Sequence, residues 1–316
     1  MKILKKDRVS KIYFEDKARF ADLLNGFVFH GKAVLQADNI HERKREVTFP
    51  EGNKKKKYIE VTRDIVNEVK VQATVVMAAI ENQSDIHYAM PVRVMAGDCG
   101  TYYEQWKKTA QLHSEQKDLT GAEFLSGFSK EDRLVPSITI VIYLGEEPWD
   151  GPRTLKDMFE LEKLPEELQE YVADYPMYLL EVRDYKELEN FRTDIQHVFG
   201  CLQYASDEEK LGQYIKDNQE AFAHLREDAF DFITQVSHSK ELKELKKKYE
   251  NPKGEIDMCK AIQDMIASGR KEGMRNGFLL AAKYLKKREE GKNDEEIARE
   301  CECSIEDVKL FFSAMA

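Results

Sequence analysis

The sequence lacks a patterned set of cysteines, a long hydrophobic run and an excess of positive charge. Its five Cys are scattered along the chain and fit no disulfide framework, so we expect a reducing, cytoplasmic environment. No stretch approaches the roughly 18 consecutive apolar residues of a membrane span. Residues 1–7 are too charged to provide the apolar centre of a secretion signal. We therefore expect a protein that has no membrane partner.

The composition is that of a globular protein with an acidic surplus. The 316 residues include 49 Lys and Arg against 59 Asp and Glu, which gives a formal net charge of −10, and 42% of them are apolar. That apolar share is sufficient for a core and too high for a disordered chain, and the length allows one or two domains. The acidic balance argues against a dedicated nucleic-acid coat protein, but it leaves room for an enzyme with one basic face.

The first 200 residues predict an α/β fold with a mixed sheet. Short apolar runs at 74–80, 138–144 and 177–182 are typical of strands that are covered on both faces. A helical pattern lies between the first two runs, at about 86–110. Alternation of strand and helix patterns is the signature of a sheet flanked by helices.

The N-terminal part adds a helix and a hairpin. Phe20, Leu23 and Leu24 have the spacing of an amphipathic helix. The β-rich stretches at 46–49 and 58–66 enclose a Pro/Gly/Asn cluster, which predicts a hairpin.

The remaining residues predict helices almost throughout. Helical patterns lie at 185–204, 208–235, 239–249 and 255–290. In the tail, 291–316, Asn293 and Ser304 each precede an acidic residue by three positions, which indicates two capped helices in a helix-turn-helix arrangement. Lys309 is the only base of the second tail helix, so packing or protein contact is favoured over the reading of DNA.

A pair of carboxylates accompanies the first apolar run. Glu81 directly follows that run, and Asp64 lies 17 residues earlier on a β-rich stretch that we expect to be the adjacent strand. Residues i and i+2 of a strand share a face, so Glu81 and Gln83 project together. A buried carboxylate needs compensation, and hard oxygen ligands suit Mg²⁺ or Mn²⁺. The spacing indicates a metal site with Asp64 and Glu81 as ligands, although acids at strand ends also occur without any such role.

Several short blocks of sequence strengthen this interpretation by their order. They are Arg63-Asp64, Ile80-Glu81-Asn82-Gln83-Ser84, Tyr88-Ala89-Met90-Pro91-Val92-Arg93-Val94-Met95, Tyr102-Tyr103 with Gln105, and Asp257-Met258-Cys259-Lys260-Ala261-Ile262. In this order they resemble the Rpn family of recombination-promoting nucleases, also described as transposases, within the PD-(D/E)XK nuclease superfamily. The first helix and the helical tail also resemble that family, so the resemblance spans nearly the whole chain.

The resemblance implies a Mg²⁺-dependent endonuclease that hydrolyses phosphodiester bonds of DNA. Its fold would be a restriction-endonuclease-like mixed β-sheet flanked by helices, followed by a mostly helical C-terminal region. The implied division is a nuclease domain at 1–200, a helical region at 201–290 and a helix-turn-helix-like tail at 291–316.

The resemblance also implies roles for individual residues. Asp64 matches the metal-binding Asp, Glu81 the second metal ligand, and Gln83 the position of the superfamily's Lys. Arg63 stands where the superfamily usually has Pro, and Gln83 removes a cation, which is expected to slow the chemistry. The Rpn family itself often has Gln at that position.

Four further residues are candidates with open alternatives. Asp16 either joins the metal site as an additional acid or is an exposed helical acid. Arg93 either contacts a phosphate beside the cleft or pairs with a surface acid. Lys55 and Lys56 either track a DNA backbone or are solvated turn residues.

Two functions therefore remain as hypotheses. The first is a metal-dependent DNA endonuclease that uses Mg²⁺, with Mn²⁺ as a substitute, and that is compatible with a homodimer. The second is a catalytically weak or inactive DNA- or partner-binding protein of mobile-element origin, which the missing Lys and the acidic charge favour.

Overall fold

The computed structural model describes residues 3–50, 58–237 and 240–315. The strands in these residues are β1 (Ile40–Glu42), β2 (Glu46–Pro50), β3 (Tyr58–Thr62), β4 (Ile65–Val71), β5 (Thr74–Gln83), β6 (Ser137–Tyr143), β7 (Tyr178–Glu181), β8 (Leu225–Arg226) and β9 (Glu255–Ile256). The helices are α1 (Ile3–Phe14), α2 (Lys17–Phe27), α3 (Met90–Gln116), α4 (Gly121–Ser126), α5 (Glu166–Gln169), α6 (Ile195–Tyr204), α7 (Glu208–Asp217), α8 (Gln219–Ala223), α9 (Glu227–Val236), α10 (Lys240–Tyr249), α11 (Met258–Glu289), α12 (Asp294–Cys301) and α13 (Ile305–Ser313).

A mixed sheet in the order β1-β4-β5-β6-β7 forms the centre of the protein. The strands β1, β4 and β5 are antiparallel, whereas β5, β6 and β7 are parallel. A parallel step needs a long crossover, and α3 and α4 supply it between β5 and β6. The protein is therefore of the mixed α/β class, with a helical C-terminal region, as the sequence predicted.

The predicted strands are confirmed, with one correction. The apolar runs form β5, β6 and β7, and the predicted hairpin is β2 paired with β3. The stretch predicted as one strand at 58–66 is interrupted at Arg63 and Asp64, which separate β3 from β4. Asp64 therefore lies in a break between two strands and not within one. The predicted turn that contains Lys55 and Lys56 lies outside the described residues.

The two faces of the sheet pack against different helices. Ile140 and Ile142 of β6 belong to the large core that includes α1, α2 and α6, whereas Val141 and Tyr143 pack with Met90 of α3. Successive residues of a strand point to opposite faces, so a strand covered on both faces needs apolar residues at every position. This explains the continuous apolar runs in the sequence.

The helix α3 differs from the predicted one in its bounds. It begins at Met90, with Pro91 in its first turn, and continues to Gln116, six residues beyond the predicted end. Its N-terminal end lies next to the end of β5, which places Arg93 beside Glu81.

One hydrophobic core extends across the predicted boundary at residue 200. Phe20 of α2, Phe199 and Leu202 of α6, and Phe230 of α9 all belong to the same buried cluster. The division between 1–200 and 201–290 therefore does not coincide with a break in packing.

A buried arginine reinforces this connection. Arg19 of α2 is 1% exposed, and its guanidinium lies 2.6 Å from Asp194, which precedes α6, and 2.6 Å from Asp228 of α9. The same guanidinium lies over the ring of Tyr13, 3.9 Å from its centroid. Two ion pairs on one buried cation tie the N-terminal helices to the later helical region.

The helical region is more interrupted than its sequence predicted. The helix predicted over 185–204 begins only at Ile195, because the Asp22 carboxylate accepts hydrogen bonds from the backbone amides of Arg192 and Thr193 at 2.9 and 2.7 Å. The helix predicted over 208–235 is divided into α7, α8 and α9. Asn218 ends α7, where its side-chain amide donates to the Tyr214 carbonyl at 2.8 Å.

The tail has the predicted capped helices. Asn293 and Glu296 form a capping box at the start of α12, and the Ser304 hydroxyl accepts from the Asp307 amide at the start of α13. A small cluster that includes Tyr284 packs α12 and α13 on the end of α11. Among the described residues, no helix combines the length and apolar composition that crossing a bilayer requires.

His113, near the C-terminal end of α3, lies between two carboxylates, Asp118 and Asp132. The ring nitrogens of His113 lie 2.9 Å from Asp118 Oδ1 and 2.8 Å from Asp132 Oδ2. Hydrogen bonds to Asp118 and then Asp132 are the main reasons why the pKa of His113 is raised above its ordinary value of 6.5. A raised histidine pKa means that the stabilisation is complete below pH 6.5 and is lost as the pH rises through the raised pKa.

We expect His113→Gln to lower the melting temperature more at pH 6 than at pH 9. At pH 6 the variant loses a charged contact with two carboxylates, whereas at pH 9 the wild-type imidazole carries less of that charge. Thermal unfolding at both pH values measures the difference, and His41→Gln, at an exposed position on β1, is the control. Equal losses at the two pH values would contradict the role of imidazolium charge.

Candidate functional site

The two predicted carboxylates meet at one end of the sheet. The antiparallel register pairs Ile65 of β4 with Ile80 of β5. Asp64, just before Ile65, therefore lies opposite Glu81, just after Ile80. The backbone amide of Asn82 donates to Asp64 Oδ2 at 2.8 Å, which fixes the position of that carboxylate. The structure thus brings together residues that the sequence had placed on neighbouring strands.

Glu81 is almost completely buried among charged groups. Its side chain is 3% exposed, and Arg93 Nη2 lies 2.8 Å from Oε2 while Arg63 Nε lies 3.9 Å from Oε1. The contact with Arg93 is an ion pair without hydrogen-bond geometry, so Oε2 accepts no hydrogen bond from the described part of the protein. A buried carboxylate needs a counter-charge, which Arg93 supplies here and a metal cation would equally supply.

The surroundings also change the acidity of Glu81. Burial is the largest effect and raises the pKa of Glu81 to about 7. The charge of Arg93 lowers this pKa, the charge of Asp64 raises it, and Arg63 lowers it. The influence of Asp64 on Glu81 follows from their proximity, because two neighbouring carboxylates resist simultaneous ionisation.

Sequence reasoning missed the network that lies beneath Glu81. Arg63 is 2% exposed, and its Nη2 donates to Asp98 Oδ1 at 2.9 Å and also to the hydroxyl of Thr139. Asp98 further accepts from the Ser137 hydroxyl at 2.6 Å and from the Tyr175 hydroxyl at 2.7 Å. Arg63 therefore has a fixed position, held from α3 and β6.

Gly97 of α3 has no side chain, which leaves space for the Arg63 guanidinium. A Cβ atom at Gly97 would lie 3.0 Å from Arg63 Nε, so a larger residue there would press on the guanidinium. The sequence contains one indication of this network: Gly97, which leaves space, is adjacent to the acidic Asp98 on the helix that follows Glu81. Nothing in the sequence pairs Asp98 with Arg63 in particular.

A pocket of about 270 Å³ opens beside Asp64, and Arg93, the ion-pair partner of Glu81, lines it. It is lined by Asp64, by Asn82 and Gln83 at the end of β5, by Ser84, Asp85, Ile86 and His87 that follow it, and by Arg93 in the first turn of α3. Gln83 is half-buried and His87 is exposed. The pocket lining thus includes the carboxylates of Asp64 and Asp85, the side-chain amides of Asn82 and Gln83, and the guanidinium of Arg93.

Asp16 has a different position from the one that an additional ligand needs. Its Oδ1 accepts from the backbone amides of Ala18 and Arg19 at the start of α2, and its Oδ2 accepts from Arg226 at 2.7 Å. Asp16 is therefore the N-cap of α2 and a partner of Arg226, and it does not line the pocket beside Asp64.

The donor set fits a hard divalent cation with an incomplete protein shell. No group of three or more His, Cys, Asp or Glu residues in the described ranges is arranged to hold a metal. Mg²⁺ is, however, commonly held by one or two carboxylates together with waters and substrate phosphates. Asp64 and Glu81, whose Oε2 is ion-paired with Arg93 at 2.8 Å, provide these two carboxylates. The chain matches no family model, no curated protein and no solved structure.

Proposed function

We propose that the protein is a Mg²⁺-dependent DNA endonuclease with a fold of the PD-(D/E)XK type. The observation that carries the proposal is the meeting of Asp64 and Glu81 at the end of a buried strand, where Glu81 Oε2 accepts no hydrogen bond from any described residue. The mixed sheet, in which an antiparallel pair precedes a parallel crossover through a helix, supports it.

Asp64 and Glu81 would hold the cation. When bound, the cation supplies activation of water and neutralisation of charge on the phosphodiester. The backbone amide of Asn82 keeps the Asp64 carboxylate oriented through its 2.8 Å hydrogen bond. Gln83 lines the same pocket and has both an amide donor and a carbonyl acceptor, so it can orient a water molecule or a phosphate oxygen.

Positive charge at this site comes from two arginines. Gln83 is neutral where the superfamily has a Lys, but Arg63 and Arg93 lie on either side of Glu81. Arg93 is the one that lines the pocket, so it is placed to contact a phosphate group. A guanidinium binds phosphate oxygens in a bidentate manner, which also fixes their orientation.

Plasmid cleavage with Mg²⁺, Mn²⁺ or EDTA tests the proposal. We expect cleavage that depends on the metal and that falls by about a hundredfold or more in Asp64→Asn and in Glu81→Gln, since each removes a ligand charge. Asp184→Asn changes an exposed carboxylate after β7 and serves as a matched control with unchanged cleavage. Full metal-dependent cleavage by Asp64→Asn would refute the assignment.

One observation favours the second candidate function, a binding protein without catalysis. Arg93 already neutralises Glu81 at 2.8 Å, as it would in a purely structural ion pair. Folded wild-type protein that binds a DNA duplex but cuts no plasmid with any of the metals would support this candidate over the nuclease.

A further inference from the structure

The two arginines beside Glu81 are held very differently. Arg63 is 2% exposed and is fixed by Asp98, with a hydrogen bond of 2.9 Å, and by Thr139. The Arg93 side chain is 36% exposed, and Glu81 is its only ion-pair partner among the described residues. Arg63 is therefore a buried cation with a fixed position, whereas Arg93 contacts the carboxylate from the solvent side.

Arg93 and Glu81 differ in the same way, because the arginine side chain is partly exposed and the glutamate side chain is buried. The carboxylate is 3% exposed and cannot turn into water without unpacking the end of β5, whereas the guanidinium is partly exposed and lines the pocket. The exposed guanidinium is nearly as well solvated when it is released, whereas the buried carboxylate that it leaves needs another counter-charge. Arg93 can thus leave Glu81 at small cost, provided that another cation replaces it.

We propose that Arg93 and the divalent cation are alternative counter-ions of Glu81. Without metal, Arg93 neutralises the buried carboxylate. When the cation occupies Glu81 and Asp64, like charge displaces Arg93 from Oε2, and the guanidinium turns within the pocket to contact a phosphate of the bound DNA. This inference rests on the proposed function, and it adds that metal binding and DNA binding are coupled through Arg93.

The exchange gives the ion pair a regulatory consequence. Arg93 competes with the metal, so it weakens metal binding in the free protein. Once released it strengthens the contact with DNA, and coupling of this kind acts equally in both directions. Metal would bind more tightly to the DNA complex than to the free protein, by the factor by which it strengthens DNA binding.

Calorimetric titration of the full chain with Mn²⁺, in the absence of DNA, tests the competition. We expect Arg93→Gln to bind Mn²⁺ more tightly than the wild type by about twofold to fivefold, the range expected from the loss of one partly exposed ion pair. Arg93→Met, a second neutral variant, is expected to give the same result. Arg153→Gln removes a half-exposed arginine that pairs with Glu181 and serves as the matched control with unchanged affinity.

Binding of a short DNA duplex, followed by fluorescence anisotropy, tests the second half of the exchange. In EDTA we expect wild type and Arg93→Gln to show the same salt dependence, because Arg93 is occupied by Glu81. With Ca²⁺ in the site, the wild type is expected to have a slope steeper by about one unit, which corresponds to one additional phosphate contact.

The outcomes separate this inference from the proposed function. Mn²⁺ binding by the wild type with equal or weaker binding by both neutral variants would overturn the exchange and leave the metal site intact. Absence of Mn²⁺ binding by folded wild type and by both variants would overturn the exchange and the proposed nuclease together. Tighter binding by both variants supports the exchange.

Discussion

Arg63→Met is expected to destabilise the fold by about 3–5 kcal/mol, the usual cost of removing one partner from a buried ion pair. The variant leaves Asp98 buried at 2% exposure without its cation, while three hydroxyl groups still donate to that carboxylate. The methionine fills much of the volume but supplies no charge. The loss should therefore be electrostatic in origin and not the result of a cavity.

A double-mutant cycle with Asp98→Asn checks this explanation. The amide keeps an acceptor oxygen for the hydroxyl donors and removes the charge, so the double variant should be more stable than the sum of the two single losses predicts. We expect a coupling of about 0.5–3 kcal/mol from urea unfolding. Strict additivity would mean that Arg63 and Asp98 do not act as an ion pair.

Arg19→Met is expected to have an effect of similar size, again about 3–5 kcal/mol. Arg19 is 1% exposed, and its guanidinium donates to both oxygens of Asp194 and to both oxygens of Asp228. The variant would leave the carboxylates of Asp194 and Asp228 without the cation that they share, while Arg226 still pairs with Asp228 at 3.0 Å. We expect the helical region and the N-terminal helices to unfold together, since the core that they share is continuous.

The pH dependence of this effect has a definite sign. Burial alone would raise the pKa of Asp228, but the hydrogen bond and charge of Arg19, the charge of Arg226 and the hydrogen bond from the Ala229 amide together outweigh it, so the pKa lies below its ordinary value of 3.8. A lowered carboxylate pKa adds stability that is present above pH 3.8 and is lost as the pH falls through the lowered value.

The stability difference between wild type and Arg19→Met should therefore be full at pH 6 and should shrink below pH 3.8. Unfolding in urea at pH 6, 4 and 3 measures it. Lys186→Met, at an exposed position, is a control with little effect at any pH. A difference that stays constant down to pH 3 would show that Arg19 acts through packing alone.

Periodicity predicted the parts of the fold in which local sequence and burial agree. The strands β5, β6 and β7 are buried on both faces, so their apolar runs are unbroken, and the caps of α12 and α13 are local hydrogen bonds that the residue types already indicate. Asp64 and Glu81 were predictable as neighbours because an antiparallel pair connects them through a short turn.

Tertiary contacts decided the parts that local sequence did not. The segment before α6 has a helical pattern, but the carboxylate of Asp22 captures the amides of Arg192 and Thr193 and holds them outside the helix. Arg63 was read as a departure from a motif, whereas the structure makes it the centre of a buried network. Its partners Asp98 and Thr139 are distant in sequence, so no local pattern reveals them.

The parallel pairing of β5 with β6 also sets the order in which this region can assemble. Asp64 and Glu81 approach each other as soon as the β4–β5 hairpin closes, which is a local and fast event. The partners of Arg63 lie 35 residues away at Asp98 and 76 residues away at Thr139, and these contacts wait for the crossover to return and β6 to dock. The folding chain therefore forms its acidic pair first, in water, and encloses it against the arginine only afterwards.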